Sequence, residues 1–331
     1  MSEPDTVVVP FDELPRLPGS GLRHSWDVHG PGDQLGTLNR LTRAVVATAA
    51  TAVRTGERVG LSLPLGLPDP SFFGRQAPRH TVFPMGPGAW DDRLEGFYLQ
   101  ASSQWDSLRH IRAADDGFYG GWQGNPEADP GPLGIQHWAR QGIVGRGVLI
   151  DLAAAGRPSG ASLGPFAPFA PFDPFEHRAF SVAELQGVLR EQGTNLRFGD
   201  ILCVRTGWTD KYLTLDEGGR YELAEALRDP LGYTCAGLSG GEEMSRFLWD
   251  SGVAAVTADN PAVETVPVDP AAGSLHLRLI PCLGFAIGEL FDFAALAAAC
   301  RRERRYEFLF ASVPLNLAGG VGSPANAVAI L

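Results

Sequence analysis

A chain of 331 residues, 44% hydrophobic and 20% charged, carries enough apolar material for a large core, which excludes a disordered chain and a coiled coil. The net charge of −11, with no basic run beyond Arg301-Arg302-Glu303-Arg304-Arg305, makes a phosphate-neutralising surface hard to build, so no nucleic-acid partner is expected. No stretch approaches the roughly 18–20 apolar residues that cross a bilayer, and Met-Ser-Glu-Pro-Asp does not open a signal peptide; the expectation is no membrane partner and a cytoplasmic location.

Residues 1–23 are polar and punctuated by proline, the pattern of an arm that orders only against the body or a neighbouring subunit, while 24–331 read as one catalytic domain with no linker. From Leu41 to Arg54 the chain is rich in alanine, with Thr42 as N-cap and Gly56 as C-cap, which predicts a helix. Arg58–Leu65 alternates like a strand, and Gly66–Trp90 has no period, so a long ordered loop is expected there. Gly147–Leu152, Ile201–Thr206 and Val253–Ala258 are short apolar runs rich in β-branched residues, the mark of strands buried on both faces. Ser181-Val-Ala-Glu184 is a capping box that opens a helix over 182–192. Phe291–Arg302 reads as a further helix and Tyr306–Val313 as a late strand. Strands alternating with helices define an α/β fold in a single compact domain.

Two features stand apart. Pro165–Phe175 repeats Pro-Phe every three residues, so four phenylalanines project from a stiff extended strip that either plugs the core or a subunit interface, or forms an apolar lid. The four cysteines (Cys203, Cys235, Cys282, Cys300) are scattered without a Cys-x-x-Cys pair, and buried free thiols follow.

With seven histidines in the chain, any acid–base or metal site draws on a short list. In Gln100-Ala-Ser-Ser-Gln-Trp-Asp-Ser-Leu-Arg-His110, Asp106 and His110 lie four apart and share a face if a helical turn starts at Ser103; they are either an acid–base pair or an aspartate orienting a structural histidine. Trp105 and Trp122 flank the pair and either fill the core or stack on an aromatic substrate. Asn260 follows the 253–258 strand, where ligands approach an open α/β sheet, and is a binding candidate. By their neighbours alone, His276 reads as a core histidine and Glu289 as a helix cap. Gly237-Leu-Ser-Gly-Gly241 matches a nucleophile elbow but lacks the strand that motif needs before it. Gly320-Val-Gly-Ser-Pro-Ala325 has no room for a βαβ unit, which excludes a dinucleotide site.

The 100–110 segment resembles the signature His-x-x-His-x-Asp-x-Pro-x-His of the metal-dependent cyclase family that includes bacterial kynurenine formamidase and isatin hydrolase. Asp106 and His110 match it, while Ala101 and Gln104 stand where the family has its two leading histidines. Asp33-Gln-Leu-Gly-Thr-Leu-Asn39, Gly199–Gly207, His276 thirteen residues before Glu289, and Gly319-Gly-Val-Gly-Ser-Pro324 extend the likeness over nearly the whole chain, nearest a longer branch in which Ser/Thr-Gln-Trp-Asp replaces the two-histidine form.

The resemblance implies a swivelling β/β/α-type fold with a central mixed sheet, assembled as a homodimer or homotetramer, around a divalent ion, Zn²⁺ or Mn²⁺. It makes Asp106, His276 and Glu289 metal ligands and His110 the acid/base. Gln104 then offers an amide oxygen to a harder ion or, if no metal is held, hydrogen-bonds the substrate. The implied activity is hydrolysis of an amide, lactam or lactone, or the reverse ring closure, and the four-Phe strip and the tryptophans point to a bulky apolar or aromatic small molecule of secondary metabolism as its substrate. Two alternatives stay open: a metal-free cyclase using His110 and Asp106, and a binding protein that has lost its activity.

Overall fold

The computed structural model describes residues 8–155, 171–229 and 232–331. In chain order the strands are β1 (Arg58–Gly60), β2 (Arg79–Gly86), β3 (Ala89–Glu95), β4 (Gln104–Asp106), β5 (Ile143–Asp151), β6 (Arg178–Phe180), β7 (Ile201–Arg205), β8 (Ala236–Leu238), β9 (Ala255–Ala258), β10 (Ala286–Glu289), β11 (Glu307–Ser312), β12 (Gly322–Pro324) and β13 (Ala327–Ile330). The helices are α1 (Arg43–Ala49), α2 (Gln136–Gln141), α3 (Leu152–Ala155), α4 (Val182–Glu191), α5 (Trp208–Thr214), α6 (Glu217–Ala226), α7 (Glu242–Asp250), α8 (Leu275–Leu277) and α9 (Ala294–Glu303).

Nine strands form one mixed sheet in the order β1-β13-β11-β5-β7-β9-β10-β4-β12. Its centre, β5-β7-β9-β10, is parallel, and antiparallel strands flank it on both sides. A parallel centre must be covered on both faces, and the side chains alternate accordingly. Val148, Ile150, Leu202, Val204 and Val256 point to one layer, with Leu185 and Val188 of α4 and Leu248 and Trp249 of α7. Leu149, Ile201, Cys203 and Ala255 point to the other, with Leu296, Ala297 and Cys300 of α9. The α/β class and the three central strands are as the apolar runs predict.

Local signals hold where they were strongest. Thr42 accepts from Val45 N and caps α1. At α4, Ser181 Oγ accepts from Glu184 N and Glu184 Oε2 accepts from Ser181 N at 2.8 Å, the reciprocal capping box.

One expectation is corrected and two open ones are decided. The passage 66–90 is not all loop: β2 and β3 pair as an antiparallel hairpin, turning at Gly86 and Gly88, with Val82, Met85 and Trp90 exposed. The 8–23 part of the arm folds on its own body: Phe11, Leu14 and Leu17 are buried in the α4/α7 layer, and Trp249 Nε1 donates to Val9 O at 2.7 Å. Of the phenylalanine strip, Phe166 and Phe169 lie outside the described residues, while Phe172 packs edge-on to Phe180 and Phe175 tilts against Trp208, both inside this chain.

All four cysteines are buried and free, as expected. No described helix is long and apolar enough to cross a membrane.

Candidate active site at the carboxyl ends of the central strands

The site is built where β10 meets β4. Register places Gln104 opposite Glu289, Trp105 opposite Gly288 and Asp106 opposite Ile287. Because side chains alternate along a strand, Gln104 and Asp106 share one face and Trp105 takes the other. Gln104–Asp106 is therefore extended strand rather than part of a helical turn starting at Ser103, a correction forced by pairing with β10. The aspartate reaches His110 through the turn that follows, in which His110 N bonds Ser107 O at 3.0 Å.

Asp106, His276 and Glu289 each offer a ligand atom, and these atoms lie within 4.8 Å of one another. His276 Nε2 is 2.9 Å from Glu289 Oε1 and 4.0 Å from Asp106 Oδ2. Glu289 Oε2 accepts from Gln104 Nε2 at 2.6 Å. That bond fixes the amide so that Gln104 Oε1 faces away; it and Asp106 Oδ2 are buried without a hydrogen-bond partner. Two buried carboxylates side by side are unfavourable unless a cation joins them. Burial pushes the Glu289 carboxyl above its ordinary range and the neighbouring Asp106 adds to that. Burial opposes the charged form of His276, but its hydrogen bonds to Glu264 and Glu289 outweigh this and hold the ring well above the ordinary value.

Glu264, which no sequence pattern singled out, organises the histidine. Its Oε1 accepts from His276 Nδ1 at 2.7 Å, His276 N at 3.1 Å and Ser274 Oγ at 3.0 Å, and its Oε2 accepts from Leu275 N at 2.5 Å. One carboxylate thus caps α8 and orients its imidazole, leaving Nε2 aimed at Asp106 and Glu289. A carboxylate behind a histidine whose far nitrogen faces other acidic ligands is the arrangement that tunes metal-binding imidazoles.

Gln100, also missed, bridges the second histidine. Its Nε2 donates to Asp106 Oδ1 and lies 3.1 Å from His110 Nδ1. The atom facing a carboxylate must be the amide nitrogen, so His110 Nδ1 is an acceptor and the ring carries its proton on Nε2. Gly322, from the glycine-rich block near the chain end, makes room: a Cβ there would stand 2.5 Å from Gln100 Cγ and 2.8 Å from Trp105 O.

The remaining candidates fall elsewhere. Trp105 is fully buried, edge-on to Phe291 at 5.5 Å and Phe310 at 6.1 Å, with Nε1 donating to Ser312 Oγ; it is a core residue and not a substrate contact. Trp122 is half-buried beside Phe118, under the Arg109 guanidinium at 5.3 Å. Asn260 is fully buried, and its Nδ2 donates to Ala236 O at 2.8 Å and reaches Glu264 O at 3.3 Å, so it shapes the loop that carries Glu264. A short strand, β8, does precede Ser239, but among the described residues no base is hydrogen-bonded to that hydroxyl.

This fold and this donor set define a class, and the comparisons agree. The family model described as "Putative cyclase" matches residues 59–265, more than half of the sequence. The chain belongs to this cyclase family. A crystal structure described as a novel cyclase is 30% identical, superposes with a TM-score of 0.78, and the match covers 98% of this chain and 100% of that one. Isatin hydrolase A from Labrenzia aggregata, bound to benzyl benzoate, is 16% identical with a TM-score of 0.55 over 87% of this chain and 98% of its own. Isatin hydrolase A from Ralstonia solanacearum is 16% identical at a TM-score of 0.54, over 87% and 96%. A search of curated sequences gives no match.

Proposed function

We propose that this chain is a metal-dependent hydrolase that opens an amide, lactam or lactone in an apolar or aromatic small molecule. The observation that carries the reading is the convergence of Asp106, His276 and Glu289 with Glu264 behind the imidazole. The residues fit a divalent cation: the unpartnered Asp106 Oδ2 lies 4.0 Å from His276 Nε2, and two carboxylates converging on an imidazole suit Zn²⁺ or Mn²⁺. A bound ion supplies Lewis-acid chemistry, polarising the carbonyl and making water more acidic.

The chain's own residues do the rest. Asp106, Glu289 and His276 would hold the ion, and Gln104 fixes Glu289 through its amide nitrogen. His110, its Nδ1 held by Gln100, presents the Nε2 proton to the leaving atom as the carbon–nitrogen or ester carbon–oxygen bond breaks. In the balanced step the oxygen of water bonds to the carbonyl carbon, His110 gives its Nε2 proton to the leaving atom as the bond to carbon breaks and regains one from the water at the same nitrogen, and the carboxylic acid formed ionises.

The test is elemental analysis of protein grown or refolded with Zn²⁺ and Mn²⁺, with turnover of N-formyl anilines, isatins and lactones measured on the same samples. About one ion per chain and turnover that falls on His110→Ala and Glu289→Gln substitution are expected. Full activity in both variants overturns the mechanism. A metal-free protein that still turns substrate over leaves His110 and Asp106 as an acid–base pair, and an inert metal-free protein leaves a binding role.

A further inference from the structure

One cation in the site has no place in the reaction as described so far. Arg75 lies on the segment between β1 and the hairpin, where Phe73 (φ 59°) and Gly74 (φ 69°) are successive left-handed residues. A left-handed phenylalanine is strained and persists only where its surroundings over-determine it. Here they do: the Phe73 ring packs against Phe72 at 6.4 Å and Tyr233 at 6.1 Å, and the Arg75 guanidinium sits over it at 5.1 Å. Arg75 Nη1 donates to the backbone oxygen of Gln100, the residue whose side chain bridges Asp106 and His110.

The acidic charges that act most strongly on this half-buried guanidinium are those of Glu289 and Asp106, yet among the described residues it forms an ion pair with no carboxylate. Among the described residues, Gln100 O is the one hydrogen-bond acceptor of the guanidinium. A guanidinium has five donors in a planar fork that matches a carboxylate, so most of Arg75 remains open beside the metal-ligand set.

Hydrolysis turns a neutral carbonyl compound into a carboxylate, and that charge appears next to Asp106, Glu289 and Glu264. An anion does not settle beside three carboxylates unless cations offset them. We propose that Arg75 is the anion anchor of the site, receiving the oxyanion that develops on the carbonyl and then the carboxylate of an aromatic product, with Phe73 and Tyr233 as the apolar wall beside it. This rests on the reading of the site as a carbonyl hydrolase, and it names Arg75 as a specificity-determining residue.

The probe is benzoate against its neutral isostere benzamide, titrated calorimetrically into the full chain as purified and after Zn²⁺ loading, with metal content measured in each sample. The wild type is expected to prefer benzoate about tenfold or more, the size of one charge-assisted contact. Arg75→Gln abolishes that preference, and Arg75→Lys keeps part of it because a point charge replaces the fork. Circular dichroism confirms that both variants fold. Equal binding of the two probes by the wild type, or a benzoate preference that survives Arg75→Gln, overturns the proposal. So does an Arg75→Gln effect confined to Zn²⁺ affinity, which is what a mere counter-ion to Asp106 and Glu289 produces. Failure of the hydrolase reading shows separately, as absent metal or absent turnover, while the probe ratio still decides the role of Arg75.

Discussion

Two buried polar clusters lie at opposite strand ends of the same sheet, one at the amino ends of β5 and β7 and one at the carboxyl end of β10, and they are built on opposite rules. At the amino ends, Arg146 of β5 binds Asp200 through two parallel bonds, Nε to Oδ1 at 2.8 Å and Nη2 to Oδ2 at 2.7 Å, and Nη2 also donates to Asn195 O. Arg197 N adds a further donor to Asp200 Oδ2, and Glu307 stands 3.8 Å from Arg146. Both Asp200 oxygens are therefore met. At the carboxyl end of β10, Asp106, Glu289 and Glu264 crowd around one imidazole, the Arg75 guanidinium is turned to a carbonyl, and Asp106 Oδ2 and Gln104 Oε1 have no partner. Matched charges hold strands in place, while surplus acidity in a dry pocket is the property of a site that takes up a cation. The two ends should thus respond differently to the loss of one side chain.

The largest effect is expected at the matched end. Arg146→Met leaves the Asp200 carboxylate buried and unpaired, and urea unfolding should show a loss of about 3–5 kcal/mol, with metal affinity of the folded protein unchanged. A variant as stable as the wild type breaks the comparison. At the site, Glu264→Gln keeps an acceptor for α8 but removes the charge behind His276, so metal affinity should fall about 10–100-fold by competition with a chelator, for a smaller change in stability than at Arg146. If Zn²⁺ binds equally well in Glu264→Gln, the carboxylate is a helix cap and nothing more.

A finer cut tests the bridge between the two histidine halves. Gly322→Ala forces Gln100 off Asp106 and His110, so kcat should drop about tenfold with metal content unchanged, through loss of orientation. Unaltered kcat shows that Gln100 does not position His110. The smallest effect expected is none at all. Burial pushes the thiols of Cys203, Cys235, Cys282 and Cys300 up to about 12, so at pH 8 only about one molecule in ten thousand carries a given thiolate. A disulfide reagent should count no thiol in the native protein and four after denaturation, and a fast native thiol shows that one of these layers opens.

The parts of the site that were legible in the sequence are those whose identity is written in local spacing. Asp106 and His110 stand out as a pair, and resemblance to the cyclase family picks His276 and Glu289 from positions that otherwise read as a core histidine and a cap. Glu264, Gln100 and Arg75 carried no such signal, because each acts on a residue brought to it by folding: Glu264 on a ring twelve positions away, Gln100 across a turn, Arg75 on a backbone oxygen twenty-five positions on. Trp105 was left undecided between core and substrate for a related reason. Its neighbours in sequence are site residues, but strand alternation sends it to the other face. The hairpin was hidden by Pro84, Gly86, Pro87 and Gly88, which break the apolar period although they suit a turn.

By itself the sequence determined the α/β class, the buried central strands, the Thr42 and Ser181 caps, the free thiols and the acid-and-histidine inventory of the site. All of these follow from short-range chemistry: a hydroxyl satisfying nearby N–H groups, or β-branched residues with no polar face. The tertiary structure decided that 104–106 is a strand, that Gln104 faces Glu289, that Glu264 stands behind His276, and that Arg75, without an ion-pair partner among the described residues, bonds the backbone of Gln100. Those outcomes depend on the register of β4 against β10 and on loops that meet across the ends of the sheet. A shift of one residue in that register would turn Asp106 into the core and Trp105 into the site, and only the packing of both faces at once forbids it.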